Sequence, residues 1–97
     1  MIFNERIRFM SIKRFEVLQW MTEKLGLSGN ELVLFAIMWK ESKGGEKALV
    51  GDYTALSAAM GVTIPTMYNC AQKLMKRGYV IQPRKGIYAI AENLNIS

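Results

Sequence analysis

At 97 residues the chain has room for one hydrophobic core, burying roughly 60–65% of the surface its unfolded form would expose. Half of its residues are hydrophobic and only two are proline, which excludes a disordered tail and favours a helix-rich globule. With no histidine and one cysteine, neither a Cys/His zinc site nor a Ser-His-Asp or Cys-His catalytic pair can be built.

No glycine-rich phosphate loop is present, so neither an enzyme nor a cofactor is expected; nothing points to the carboxylate-only site that remains. The longest apolar run, Leu32 to Trp39, is far short of the roughly 18 residues of a membrane span. Glu5, Arg6 and Arg8 interrupt the N-terminus, where no signal-peptide core is evident. Together with the single Cys70 this reads as a cytoplasmic protein without a membrane partner. The net charge of +5 is unevenly placed. Residues 1–59 carry eight Lys or Arg against seven acids, a net of +1. Residues 60–97 carry Lys73, Lys76, Arg77, Arg84 and Lys85 against Glu92 alone, a net of +4. Such a concentration suits a polyanion-binding face, and equally a solvated surface.

Residues 1–10 read as an N-terminal arm or strand, with Phe3, Ile7 and Phe9 on one side if extended. The domain proper is expected over 11–97. From Ser11 to Leu25 the apolar Ile12, Phe15, Leu18, Met21 and Leu25 recur every three or four residues, which predicts a helix. Val17 and Trp20 lie off that stripe and suggest a second apolar edge. Ser28-Gly29-Asn30-Glu31 has the form of a capping box. The run Leu32 to Trp39 is apolar all round and predicts the central helix, continuing to about Lys43; a core strand is the weaker alternative. Gly44-Gly45 breaks the chain.

Ala48-Leu49-Val50 is a brief extended piece. Asp52 suits the N-cap of a short helix ending at Met60, and Gly61-Val62 a tight turn. Thr63 should cap a second helix to about Arg77, with Pro65 harmless in its first turn. Met67, Cys70, Ala71 and Leu74 are its expected inward face, so Cys70 reads as a packed thiol. Two alternating stretches, 79–82 and 87–90, predict a hairpin joined by Pro83-Arg84-Lys85-Gly86, a basic tip. The methionines read as core filler. Trp20 and Trp39 read as core or dimer packing rather than the wall of an effector pocket.

The segment Asp52 to Gly78 resembles the helix-turn-helix of bacterial winged-helix regulators. The resemblance lies in Leu56, Met60, Gly61, Val62, Met67, Cys70 and Leu74, followed by Lys-Arg-Gly-Tyr-Val-Ile. More loosely, residues 25–78 resemble winged-helix modules of phage and mobile-element replication or regulatory proteins, through Leu-Gly-Leu-Ser-Gly-Asn-Glu-Leu. Ser57 stands where alanine is usual, and Ile64 where Arg or Gln often reads bases.

The implied fold class is mainly α with a small β-hairpin, a winged helix-turn-helix with an extra N-terminal helix. The implied function is sequence-specific binding of double-stranded DNA by a homodimeric transcriptional regulator. The alternatives are a replication or recombination accessory factor, and a winged helix used for protein contact. The second helix of the motif would turn Thr63, Ile64, Thr66, Tyr68, Asn69, Gln72 and Lys73 outward. Thr66 could contact a phosphate or a base, Asn69 and Gln72 match adenine, and Lys73 suits phosphate. Arg84 and Lys85 at the hairpin tip could reach a phosphate or the minor groove.

Overall fold

A computed structural model describes residues 15–50, 53–92 and 94, and of residues 49–50 the backbone alone. The expected N-terminal arm, the beginning of the expected first helix and the Asp52 cap fall outside these. Among the described residues the chain forms four helices and three short strands, in the order α1 (Gln19–Glu23), α2 (Gly29–Glu41), β1 (Leu49–Val50), α3 (Tyr53–Met60), α4 (Ile64–Lys76), β2 (Val80–Arg84) and β3 (Ile87–Ile90). It is mainly helical with a β-hairpin.

The apolar run in α2 makes it the hub. Leu34, Phe35, Ala36, Ile37 and Met38 are consecutive and all buried, which requires neighbours on every side of the helix. Those neighbours are α1, α3, α4 and β3. Each of the larger side chains contributes about 1.5–3 kcal/mol by leaving water. Phe35 also meets Trp20 edge-on at 6.0 Å and stacks with Trp39 at 6.3 Å, while Trp20 and Trp39 are 4.8 Å apart. The two tryptophans are therefore packing residues on the flank of α2, half-buried around Phe35.

Two expectations about the N-terminal half need correction. The helix expected from Ser11 is helical, among its described residues, only at Gln19–Glu23. Leu18 is extended (φ −87°, ψ 148°), and Phe15 to Leu18 run without helix. Phe15 and Leu18 nevertheless pack partly against the core and line a groove with Ala36 and Trp39 of α2. Contact with α2, not helix geometry, gives those apolar positions their cover.

The capping box is the second correction. Ser28 stands at the N-cap of α2, yet its side chain makes no capping hydrogen bond. Ser28 has the extended backbone usual at an N-cap, and Gly29 follows it with φ of +60°, a left-handed conformation that glycine enters freely. Glu31, the other half of the box, faces Arg77 instead, at 3.6 Å.

The strands form one antiparallel sheet in the order β1-β3-β2. β1, only two residues long, is held by pairing Leu49 with Tyr88 and Val50 with Ile87. Between β2 and β3, Val80 pairs with Ile90, Ile81 with Ala89 and Arg84 with Ile87. Gln82 and Pro83 thus oppose Tyr88 alone, which is a bulge. Pro83 lacks an amide to donate, and a bulge on an edge strand is where a sheet tolerates that. The pairing carries β2 through Arg84, so the turn is only Lys85-Gly86, shorter than the four-residue connection expected. Tyr88 and Ile90 point into the core; Ile87 and Ala89 are half-buried on the opposite face.

Candidate nucleic-acid interface

The backbone between α3 and α4 reverses over three residues. Gly61 has φ of +74°, and an added Cβ would meet nothing within 4 Å, so backbone geometry rather than space calls for glycine. The Gly61 amide donates to the Ala58 carbonyl (3.1 Å) and the Val62 amide to the Ser57 carbonyl (3.0 Å), closing the end of α3. Thr63 then caps α4 as expected: its Oγ1 accepts from the Thr66 amide at 3.3 Å. Its hydroxyl donates to Thr66 Oγ1 at 3.0 Å. Pro65 lies in the first turn of α4, where the missing amide costs nothing.

One face of α4 is fixed by Met67, Cys70, Ala71 and Leu74, all buried and spaced i, i+3, i+4, i+7. They seat the helix against α2 and α3. Burial raises the pKa of the Cys70 thiol, the Glu31 carboxylate adds to that, and Lys73 opposes it. The thiol is therefore protonated packing, not a nucleophile.

The opposite face repeats the same spacing with a different chemistry. Asn69, Gln72, Lys73 and Lys76 are all exposed, again i, i+3, i+4, i+7, and so form one stripe. Lys76 was absent from the residues that the sequence singled out for this face; its seven-residue spacing from Asn69 was the available signal. Thr63 is exposed at the cap and Thr66 is half-buried, its oxygen already accepting from Thr63. Ile64 and Tyr68, both 42% exposed, border the stripe one turn apart. Tyr68 is held from behind: its ring meets Tyr53 of α3 edge-on at 6.1 Å. The Tyr53 hydroxyl in turn accepts from the buried Tyr88 at 3.5 Å. Burial, then that hydrogen bond, raises the Tyr88 pKa well above the ordinary phenol value.

Arg84 and Lys85 are exposed at the tip of the hairpin, whose β2 strand packs on α4. They belong to a different element from the helical stripe. Arg77, by contrast, serves the fold. Its Nη2 donates to the Leu25 carbonyl at 2.9 Å, the same oxygen that the Tyr79 hydroxyl reaches at 2.9 Å. Its guanidinium lies 5.2 Å from the centre of the Tyr79 ring and 3.6 Å from the Glu31 carboxylate. The basic excess of the C-terminal third is thus divided: Arg77 ties the end of α4 to the α1–α2 connection, while Lys73, Lys76, Arg84 and Lys85 face solvent.

Among the described residues no group of His, Cys, Asp and Glu comes together that could hold a metal ion, and no helix is long and apolar enough to cross a membrane. No family model, curated protein or solved structure matches the chain.

Proposed function

We propose that the chain is a winged helix-turn-helix protein that binds double-stranded DNA in a sequence-specific manner, as a transcriptional regulator. The observation that carries this reading is the two-sided α4: an apolar face locked into the core opposite a stripe of Asn69, Gln72, Lys73 and Lys76 open to solvent. A helix that enters a major groove needs both, because base reading requires a rigidly held donor–acceptor surface. The succession of α3, tight turn, α4 and hairpin, with the sheet ordered β1-β3-β2, is compatible with that class.

In this reading Asn69 and Gln72 pair with the N6 and N7 edge of adenine, each offering one donor and one acceptor. Lys73 and Lys76 neutralise phosphates flanking the groove. Arg84 and Lys85 at the hairpin tip reach a further phosphate or the minor groove. Thr63 and Thr66 stand at the N-terminal end of α4; Thr63 holds Thr66 through their hydroxyl–hydroxyl bond, and the Thr66 hydroxyl would donate to the backbone of the duplex.

The reading includes a homodimer, since one small domain makes few contacts and pairing doubles them. Its support is the open groove of about 710 Å³ lined by Phe15, Leu18, Ala36 and Trp39, beside Val17, which is 47% exposed. A second copy would cover these apolar groups. Selection of bound sequences from a random duplex pool tests the proposal: a two-fold symmetric site should be recovered, and lost with Asn69→Ala. Recovery of no sequence, with retention of another protein instead, would point to a domain built for protein contact.

A further inference from the structure

Ile64 and Tyr68 are the two large apolar side chains that α4 leaves in solvent. They lie one turn apart on the N-terminal half of the helix, at the border of the polar stripe, and Tyr53 braces the Tyr68 ring from the protein side. Among the described residues the other strongly exposed large hydrophobics, Val17 and Ile81, belong to different segments. Ile64 stands where Arg or Gln often reads bases, and it cannot hydrogen-bond to one. Its chemistry supports a different contact.

We infer that Ile64, with Tyr68 beside it, reads the 5-methyl group of thymine, making the protein selective for thymine-containing half-sites. This rests on the DNA-binding reading above. The charge around the pair favours nucleic acid as the occupant: Lys73 and Lys76 on the same helix and Arg84 and Lys85 on the hairpin are exposed cations. A polyanion drawn by them brings the outer face of α4 against base edges. In the major groove the thymine methyl is the apolar group that projects from those edges, so it is the partner an exposed isoleucine fits best. Asn69 and Gln72 match the adenine of the same kind of base pair. The polar stripe and its apolar border therefore read one A·T pair, or two adjacent ones, from both strands. The side chain that cannot donate a hydrogen bond becomes a specificity residue.

The test isolates the methyl group. The duplex bound best after selection is synthesised twice, once with thymidine and once with deoxyuridine at every thymidine position. These differ only in the methyls. Burial of one methyl is worth about 0.8 kcal/mol, so the thymidine duplex should bind about fourfold tighter for each methyl contacted. With Ile64→Ala most of that preference should go, while the salt dependence of binding stays at the wild-type value. Ile64→Val, which keeps most of the apolar surface, should retain most of the preference. Circular dichroism should show both variants folded, since the position is exposed. Equal binding of the two duplexes by the wild-type protein overturns the inference and leaves the DNA-binding reading standing. A preference that survives Ile64→Ala undiminished also overturns it, since Ile64 would then not be its source. Failure to bind either duplex overturns the inference together with the reading beneath it.

Discussion

The Leu25 carbonyl should show which part of the basic surface is spent on the fold. It accepts from both Arg77 Nη2 and the Tyr79 hydroxyl, each at 2.9 Å, and Leu25 itself is 3% exposed. Either donor alone satisfies this oxygen, so each single removal should be mild. Arg77→Met keeps the aliphatic stem and removes the guanidinium. The ion pair with Glu31 is worth little, because the Arg77 side chain is 39% exposed and solvent screens it. Loss of that pair, the cation–π contact and one shared hydrogen bond should cost about 1 kcal/mol. Tyr79→Phe keeps the ring against Phe35, 6.5 Å away, and should cost about 0.5–1 kcal/mol.

The double variant leaves the carbonyl without either donor, which adds a desolvation penalty of about 1–3 kcal/mol absent from both singles. A double-mutant cycle by urea unfolding should therefore give a coupling of at least about 1 kcal/mol. In a domain of this length that adds about 4–8 °C to the fall in Tm beyond the sum of the singles. Additive losses, within about 0.5 kcal/mol, would refute the idea that the two side chains guard one oxygen.

The other expectations concern the candidate interface and alkaline stability. Asn69→Ala should weaken binding to the selected site by about 1–3 kcal/mol and leave non-specific binding nearly unchanged. Equal losses on both, measured by titration of the two duplexes, would reduce Asn69 to a positioning role. The double change Arg84→Ala/Lys85→Ala should flatten the slope of log affinity against log salt by roughly 1–2. Its effect on stability should stay within about 0.5 kcal/mol, as both residues are exposed. An unchanged slope would remove the hairpin from the interface. Cys70 and Tyr88 hold their protons more tightly folded than unfolded, because burial raises both pKa values. Their contribution is full below the unfolded values, about 8.5 for the thiol and about 10 for the phenol, and is lost as pH rises from each of these towards the raised folded value. Urea midpoints should fall across that range, and the first part of the fall should be absent in Cys70→Ala. A flat profile would contradict the buried placement of both groups.

What was legible in the sequence was local. α4 announces itself through Thr63, Pro65, the Met67-Cys70-Ala71-Leu74 spacing and Gly78, and it forms where those signals place it. The central α2 follows from an apolar run for which a core strand was the weaker alternative, and the hairpin from alternation. What was not legible depends on partners far along the chain. Glu31 looks like half of a capping box until Arg77, 46 residues away, is brought to it. Arg77 counts as surface charge until Leu25 and Tyr79 are placed beneath it. Apolar spacing before Gln19 marks Phe15 and Leu18 for burial, but spacing does not report the backbone, and packing against Trp39 and Ala36 leaves them outside any helix. Lys76 was left out of the outward set, although its spacing from Asn69, Gln72 and Lys73 repeats that of the buried face and keeps it on the stripe.

The most direct test of the central claim is the salt dependence of duplex binding by the wild-type protein. Four cations, Lys73, Lys76, Arg84 and Lys85, are exposed on α4 and the hairpin tip of each chain. If each neutralises one phosphate, log affinity should fall against log salt with a slope of roughly −3 to −4 per chain bound. Titration of a labelled duplex at several salt concentrations, with chain stoichiometry fixed by sedimentation, gives that slope. A value in this range, reduced by the hairpin double change, is the predicted result. No binding at low salt, or binding indifferent to salt, would contradict a DNA-binding role for this face.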